Sequence, residues 1–274
     1  MSAYFNGSRG RIHHHRWLPE GEARSAVLVL HGFAEHLGLY STLAARLTAD
    51  GHAVHAFDQV GHGRSDGEGA VIESWDILVE DAHSLATSIG EQHPGVPLTL
   101  IGHSGGALAA YLLAARHPEV ASAVVLSGGP LLPLAWVEAA LRGELDEDDS
   151  LDPTGMLSTH PEYVHALMHD PLTYKGGFPP ETLLAITRAW PEATAALEQG
   201  LLDLPVLLVH GEEDPVVPVE VSRTVAARLP RAELRTFPGD LHDVLNEHDR
   251  DQVHEVVATW LVDVLEHHMA GVVA

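Results

Sequence analysis

The sequence predicts an α/β protein whose mostly parallel sheet carries helices on both faces, the doubly wound arrangement. Three observations favour this fold class. Short runs of apolar and β-branched residues alternate along the chain with segments of helical periodicity. A chain of 274 residues, 45% of them hydrophobic, is long and apolar enough to bury one large core. Near residue 104, a glycine-bounded turn joins an apolar run directly to a helical segment.

Six short apolar runs predict the strands. They are Ala26–Leu30, Ala53–Phe57, Leu98–Ile101, Ala123–Leu126, Val206–Val209 and Glu233–Phe237. The segments between and after them predict helices at Tyr40–Ala49, Trp75–Glu91, Gly105–Arg116, Val219–Leu229 and Gln252–His267. Strands that alternate with helices pair in parallel through right-handed crossovers, so the helices cover both faces of the sheet. Near the start, Gly10–Trp17 predicts an antiparallel edge strand.

Residues 130–200 interrupt this alternation, because they contain no apolar strand run. They hold four helix-like pieces separated by prolines and an acidic run that we expect to be a solvated loop: Leu134–Arg142, Pro161–Met168, Pro180–Arg188, Pro191–Glu198 and Glu144–Asp149. An insertion after a strand of a doubly wound sheet covers the carboxyl edge, where ligands bind. We therefore predict one domain over residues 1–274, with a core of 1–129 and 201–274 and a helical lid of 130–200.

Charge and composition exclude several classes of protein. The formal net charge is −24, from 15 basic and 39 acidic side chains, which argues against nucleic acid or an anionic membrane as partner. There is no cysteine, so disulfide and thiol chemistry are excluded. Met1–Arg11 has no apolar stretch typical of a signal peptide, and no segment approaches the roughly 20 apolar residues of a membrane span. We expect a cytoplasmic protein without stable membrane insertion, and the sequence does not predict its oligomeric state.

A serine that can act as a nucleophile stands in Gly102-His103-Ser104-Gly105-Gly106, directly after a predicted strand. The order strand, sharp turn, helix raises the hydroxyl of Ser104 clear of the sheet. Gly102 and Gly106 flank the serine because side chains there would collide with the neighbouring strand and helix. Such a serine can attack a carbonyl carbon if a base, an acid and an oxyanion site lie at the same edge.

His242 is the candidate base, because its loop follows the last predicted strand and so reaches the same sheet edge as Ser104. The carboxylate that orients the histidine should follow the preceding strand, where the sequence offers Glu212, Glu213 and Asp214. We choose Asp214, because its separation from the strand suits a loop that curls back toward the histidine. The chain order Ser, Asp, His is that of the α/β-hydrolase arrangement.

An oxyanion site needs two backbone donors. The Gly105 N–H follows the serine and lies at a helix N-terminus. The second donor should come from the loop His31–His36, which follows the strand Ala26–Leu30, and the N–H of Phe33 is the candidate. We predict these two groups as the oxyanion hole.

Each of these parts has a simpler explanation when it is taken alone. A serine in a glycine-rich turn can be only a turn, and Asp214 before a proline is typical of a turn. One histidine among 21 is unremarkable. However, all four parts fall at one edge, in one chain order and after the expected strands, which favours an active serine hydrolase.

Other polar residues have structural explanations. His13–His15 alternate between the two faces of a strand and cannot converge on one metal, and we predict no metal and no cofactor. His31 and His103 are expected to hydrogen-bond the loops that shape the site. Asp58 also follows a strand, as the nucleophile of aspartate-dependent hydrolases does, but it lacks the glycine-bounded turn and is expected to brace a loop.

The chain resembles the monoacylglycerol lipase and lysophospholipase group of α/β-hydrolases over nearly its whole length. The motifs that carry the resemblance are His31-Gly32-Phe33-Ala34-Glu35-His36, Asp58 to Ser65, Gly102 to Gly106, His169-Asp170-Pro171-Leu172 with Lys175-Gly176, and His242 to Glu247. The resemblance implies a triad of Ser104, Asp214 and His242, with Phe33 and Gly105 as oxyanion donors. It also implies cleavage of a fatty-acyl ester of glycerol or a related small alcohol, without a cofactor. Members commonly carry Met after the nucleophile, where this chain has Gly105.

Three hypotheses about function remain at this point. The first is an esterase that forms an acyl-enzyme on Ser104, under apolar lid residues that include Leu134, Trp136, Val137, Leu157, Leu183 and Ile186. Its activity should rise as His242 loses its proton near neutral pH. The second is a ligand-binding protein of this fold without turnover. The third keeps the attack of a serine on a carbonyl but changes the acceptor or the substrate: the enzyme transfers an acyl group to an alcohol, or hydrolyses another carbonyl substrate such as a lactone or an amide.

Overall fold

Eight strands form one sheet in the computed structural model, which describes residues 2–144 and 153–272. The strands are β1 (Ser2–Gly7), β2 (Gly10–Trp17), β3 (Ser25–Leu30), β4 (His52–Phe57), β5 (Leu98–His103), β6 (Ala123–Ser127), β7 (Val206–Gly211) and β8 (Ala232–Phe237). Their order across the sheet is β1-β2-β4-β3-β5-β6-β7-β8. The pairs β1–β2 and β2–β4 are antiparallel, and every other neighbouring pair is parallel.

Helices cover both faces of this sheet. They are α1 (Ser41–Ala49), α2 (Trp75–Gln92), α3 (Gly105–Arg116), α4 (Ala135–Leu141), α5 (Pro153–Met156), α6 (Pro161–His169), α7 (Pro180–Glu198), α8 (Val219–Ala226) and α9 (Arg250–Val272), with 3-10 turns at Leu37–Tyr40 and Val244–Asn246. Alternate side chains of each buried strand point to opposite faces. Leu28 and Leu30 therefore join the apolar cluster that contains α2, α3 and α7, whereas Val27 and Val29 join the cluster that contains α1 and α9.

The predicted fold class is confirmed, and all six predicted strands are present. The prediction that Gly10–Trp17 forms the sheet edge is wrong. It does form an antiparallel strand, but Ser2–Gly7 pairs along its outer side and is the true edge. The side chains of Ser2–Gly7 are mostly exposed, and their apolar run, Ala3-Tyr4-Phe5, is only three residues long, so the sequence pattern did not indicate a strand there.

The helices α4 to α7 lie between β6 and β7, where the sequence predicts an insertion. The predicted break at Pro191 is wrong, because one continuous helix runs from Pro180 to Glu198 with this proline inside it. An interior proline costs a helix about 3 kcal/mol. Here Trp190, Ala193 and Leu197 on the same helix are buried in the core, and that packing outweighs the cost.

The acidic run Glu144–Asp149 lies outside the described residues except for Glu144, which pairs with Arg142. Within the described ranges, no helix combines the length and the apolar character that crossing a bilayer requires.

Candidate active site

Ser104 lies between β5 and α3 with backbone angles of φ 51° and ψ −122°, a conformation that side-chain-bearing residues rarely adopt. Such backbone strain costs about 1–3 kcal/mol and persists only where the surroundings impose it. A Cβ on Gly102 would lie 2.4 Å from the Gly106 carbonyl oxygen, and one on Gly106 would lie 2.3 Å from the Leu30 carbonyl oxygen. The two glycines therefore allow the close approach of strand and helix that places Ser104 at the carboxyl edge.

His242 contacts both of its predicted neighbours. The Ser104 hydroxyl lies 2.9 Å from His242 Nε2, and His242 Nδ1 lies 2.7 Å from Asp214 Oδ2. The imidazole is 2% exposed. Its loop is held by two backbone hydrogen bonds, from His242 N–H to the Met156 carbonyl at 3.3 Å and from the next N–H to the Leu157 carbonyl at 2.8 Å. The structure thus brings together three side chains that lie far apart in the sequence.

Both carboxylate oxygens of Asp214 have hydrogen-bond donors that hold the side chain in place. The backbone N–H groups of Val216 and Val217 donate to Oδ1 at 2.8 Å and 2.9 Å, and His210 Nε2 lies 3.0 Å from Oδ2. Burial favours the neutral form of the carboxyl, but the charge of His242 and the hydrogen bonds from both histidines outweigh it and hold the pKa of Asp214 well below its usual range. The carboxylate is therefore ionised and can orient an imidazole.

The alternatives to Asp214 lie elsewhere. Glu212 and Glu213 are both exposed, and Glu212 accepts a hydrogen bond from the Thr236 hydroxyl. The sequence did not single out His210, which the structure places against the Asp214 carboxylate. The sequence could have indicated His210 through its position directly after the buried run Val206–Val209, because the residues that follow a parallel strand lie at the carboxyl edge, where the site forms.

The loop that carries Phe33 lies beside the serine. A Cβ on Gly32 would lie 3.3 Å from Ser104 Cβ, and Phe33, Ser104 and Gly105 line one cavity. Gly105 begins α3, and the first N–H groups of a helix have no intrahelical partner. The two residues predicted to supply oxyanion donors therefore line the same cavity as Ser104.

Hydrogen bonds of the His31 ring hold the loop that carries Phe33. Its Nδ1–H donates to the Gly32 carbonyl at 2.7 Å, and its Nε2 accepts from the Gln59 N–H at 2.9 Å. Burial, followed by the charge of His62, lowers the pKa of His31 to about 3, so this imidazole is neutral. His103 has a similar task, since its Nδ1 lies 3.2 Å from the Ser127 hydroxyl.

Asp58 braces its surroundings as predicted. Its Oδ1 accepts from the Leu37 N–H at 2.8 Å, and its Oδ2 accepts from the Arg64 N–H at 2.9 Å. His13 Nδ1 also lies 2.8 Å from Asp58 Oδ2. These contacts bind three separate segments of the chain to one carboxylate.

The cavity above Ser104 is apolar and small, about 40 Å³. Its walls include the aromatic and aliphatic residues Phe33, Ile72, Trp75, Leu134, Trp136, Val137, Phe178, Leu183 and Ile186. Leu157, predicted to be one of these, lies instead against the His242 loop through its carbonyl. Trp75 is a wall that the sequence did not indicate, and its indole N–H donates to the Gly105 carbonyl at 3.1 Å. A Cβ on Gly105 would lie 3.1 Å from that ring, so the indole occupies space beside the glycine.

Two groups of described residues have the composition of metal ligands, namely His83, His117 and Glu119, and Glu35, His103 and Asp243. The rings of His83 and His117 are stacked, 4.0 Å apart and 12° from parallel. Lone pairs of stacked rings lie in parallel planes and do not converge on one ion. In the second group, Glu35 already accepts hydrogen bonds from the hydroxyls of Tyr40 and Tyr163.

The topology of the sheet and the strained serine turn define the class of this protein, the α/β-hydrolases. The model of the family described as serine aminopeptidase, S33, matches residues 21–249. A monoacylglycerol lipase of Mycolicibacterium smegmatis is 33% identical over 93% of this chain and 94% of its own. A monoglyceride lipase of Mus musculus is 29% identical over 88% and 83% of the two chains.

Solved structures agree with these relatives. The crystal structure of Paleococcus ferrophilus monoacylglycerol lipase has a TM-score of 0.78 and 26% identity, and the match covers 92% of this chain and 99% of that one. The chain belongs to the serine aminopeptidase S33 family and, within it, to the monoacylglycerol lipase group that its motifs resemble. It is a carboxylic-ester hydrolase of the serine type.

Proposed function

We propose that this protein hydrolyses fatty-acyl esters of glycerol or a similar small alcohol, monoacylglycerols in particular, through an acyl-enzyme on Ser104. The observation that carries the proposal is the continuous chain of contacts from Ser104 through His242 to Asp214, at 2.9 Å and 2.7 Å. These separations lie within the range that proton transfer requires.

In the first half of the reaction, Ser104 Oγ attacks the ester carbonyl carbon while its proton passes to His242 Nε2. Asp214 stabilises the imidazolium that forms. The negative charge that develops on the carbonyl oxygen is stabilised by the N–H groups of Phe33 and Gly105, and each such donor is worth about 10²–10³ in rate. The carbon–oxygen bond to glycerol then breaks, and the imidazolium returns its proton to the departing alkoxide.

In the second half, water replaces the alcohol. His242 takes a proton from this water as it attacks the acyl carbon, and a second tetrahedral intermediate forms. When that intermediate collapses, the bond to Ser104 breaks and the proton on the imidazole passes to the serine oxygen. The fatty acid leaves, and the enzyme regains its starting protonation state.

The lining of the cavity supports an acyl chain as the group that lies next to Ser104. Its walls are almost entirely apolar, and burial of methylene groups against them is favourable by about 0.8 kcal/mol each. The names of the relatives from Mycolicibacterium smegmatis, Mus musculus and Paleococcus ferrophilus support glycerol as the alcohol.

Residues 130–200 are proposed to act as the lid of a single domain that spans the chain. Phe178 from this segment stacks on Phe33, with ring centroids 4.1 Å apart, and Trp136 approaches Phe178 at 5.3 Å. A cavity of about 40 Å³ is far smaller than the roughly 300 Å³ at which ligand pockets begin. An acyl ester therefore requires that this aromatic cover move away.

The decisive experiment measures release of fatty acid from monooleoylglycerol by the wild type and by Ser104→Ala. We expect the variant to lose activity by about 10⁴-fold or more. The matched control is Ser84→Ala, which removes an exposed hydroxyl on α2 that donates to the Glu80 carbonyl of the same helix. Retention of full activity by Ser104→Ala would overturn the proposal.

Two further measurements separate the alternatives. A fluorophosphonate probe should label Ser104 in the folded protein, and the absence of an adduct would favour a binding protein without turnover. Addition of a second alcohol during hydrolysis tests acyl transfer, because a transferase would form a new ester in preference to free acid. Parallel assays with a lactone and an amide test the remaining carbonyl substrates.

A further inference from the structure

A group of buried polar side chains lies behind the loop that carries Phe33. Glu35 is 3% exposed, and its Oε2 accepts hydrogen bonds from the Gly32 N–H at 2.7 Å and the Tyr40 hydroxyl at 2.6 Å. The Tyr163 hydroxyl donates to its Oε1. Because Gly32 immediately precedes Phe33, the Glu35 carboxyl fixes the position of the loop that supplies a proposed oxyanion donor.

Asp243 lies close to Glu35. It directly follows His242, is fully buried, and accepts a hydrogen bond at Oδ2 from Asn246 at 2.9 Å. One oxygen of each carboxyl group and a ring nitrogen of His103 lie within 4.8 Å of one another. Among the described residues, Asp243 Oδ1 has no hydrogen-bond partner of standard length, so it is available to accept a proton from a neighbour.

Two carboxyl groups this close and this deeply buried do not both ionise at neutral pH. Burial, followed by the negative charge of Asp243, raises the pKa of Glu35 to about 8. Burial also favours the neutral form of Asp243, but the charge of His103, followed by hydrogen bonds with Tyr163, Asn246 and Glu35, outweighs it and lowers the pKa of Asp243. One proton is therefore present, and it resides on Glu35.

We propose that Glu35 and Asp243 share this proton across a buried carboxyl–carboxylate contact, and that the pair holds the oxyanion loop in place against the His242 loop. The inference rests on the proposed function, since both residues position groups of the same reaction. Glu35 is tied to the Gly32 N–H, and Asp243 is adjacent in the chain to the base. Loss of the shared proton places two like charges in contact and forces the two loops apart.

Other titratable groups face the pair from several elements. They are Tyr40 at the end of a 3-10 turn, His103 in β5, Tyr163 in α6 and His254 in α9. Burial raises the pKa of Tyr40 and of Tyr163 well above the usual value, so neither ionises before Glu35. Burial lowers the pKa of His254, which keeps this imidazole neutral in the alkaline range.

Asp240 is a second acid of the His242 loop that titrates above neutral pH. Burial, followed by a hydrogen bond and the charge of Asp249, raises the pKa of Asp240 to about 8. The two possible causes of an alkaline loss of activity are separable, because Asp249→Asn removes the like charge beside Asp240 and leaves Glu35 untouched.

The experiment measures kcat at saturating ester from about pH 6 to about pH 10 for the wild type, Glu35→Gln and Asp249→Asn. Wild-type kcat should fall about 25-fold between about pH 7.5 and about pH 9.5, as a single titration near pH 8 to an inactive form requires. In Glu35→Gln, an uncharged amide donates to Asp243 and accepts from the Gly32 N–H at every pH. Its kcat should therefore change by less than about twofold over this interval, with KM unaffected. Asp249→Asn should retain the wild-type decline.

An alkaline decline in Glu35→Gln as large as that of the wild type overturns the inference, as does a flat wild-type profile. Neither result affects the proposed function, which probe labelling of Ser104 at neutral pH tests separately. A measurement on the wild type alone avoids dependence on variant folding. With carbon-13-labelled glutamate, infrared spectra should show a protonated glutamate carbonyl at neutral pH that disappears as the pH rises, and its absence at neutral pH contradicts a shared proton.

Discussion

Replacement of His55 by leucine should stabilise the protein, and the gain should grow as the pH falls. His55 lies in β4 between Arg16 of β2 and Leu28 of β3, and is 1% exposed. Neither of its ring nitrogens has a hydrogen-bond partner within the described part of the chain. An unsatisfied buried polar group costs about 1–3 kcal/mol, and leucine removes that cost with a side chain of similar volume.

The stabilisation by His55→Leu is expected to increase at low pH because folding is linked to protonation of His55. Burial, followed by the charges of His93 and His14, lowers the pKa of His55 from 6.5 to about 3. Between these two values the unfolded chain binds a proton that the folded protein does not, so the stability present above pH 6.5 falls as the pH drops toward 3. At pH 5 the loss amounts to about 2 kcal/mol, and at pH 7 it is close to zero.

The assay is urea unfolding followed by far-UV circular dichroism, at pH 7 and at pH 5. We expect His55→Leu to exceed the wild-type free energy of unfolding by about 1–3 kcal/mol at pH 7 and by about 2 kcal/mol more at pH 5. The matched control is His165→Leu, which replaces an exposed histidine on α6. An equal gain at both pH values would refute the reasoning, because it would show that His55 binds its proton equally well in the folded and unfolded chains.

Three other variants test the site and its loops. Asp214→Asn should lower kcat for a p-nitrophenyl ester by about 10⁴-fold with an unchanged far-UV spectrum, and an unaffected rate would contradict its role. Gly106→Ala should destabilise the fold by at least about 3 kcal/mol, because the new methyl group meets the Leu30 carbonyl oxygen at 2.3 Å; a thermal melt equal to that of the wild type would disprove this. Burial, as the largest cause, raises the pKa of Asp240 from 3.8 to about 8, so the free energy of unfolding falls as the pH rises between these values. Asp249→Asn should reduce this fall in stability by about 1 kcal/mol, as measured by urea unfolding at pH 5 and pH 8.

Residues whose position depends on local sequence patterns and on the order of the strands could be predicted from the sequence. A strand, a glycine turn and a helix located Ser104, and the ends of parallel strands must meet at one edge, which led to His242 and Asp214. The contact between the serine and the histidine joins positions that are 138 residues apart, but it needed no knowledge of side-chain packing. Strand order and loop position were sufficient.

Features that depend on tertiary packing could not be predicted in this way. Ser2–Gly7 pairs as an edge strand with mostly exposed side chains, and α7 continues through Pro191 because its apolar face is buried. The indole of Trp75, the first residue of α2, donates to the carbonyl of Gly105, the first residue of α3. Each of these outcomes is decided by a neighbour that is distant in sequence, so no local pattern records it.

The stacked rings of Phe33 and Phe178 have a consequence for how tightly substrate binds. A stacked pair of aromatic rings contributes about 0.5–1.5 kcal/mol beyond the area that it buries. A ligand that must first separate the rings finds only a fraction of molecules open, and its apparent affinity falls by that fraction. If one molecule in about twenty is open, the dissociation constant is about twentyfold weaker than the open state alone would give. A molecule whose two rings are already held apart would not carry this penalty, so it should bind the same ester more tightly.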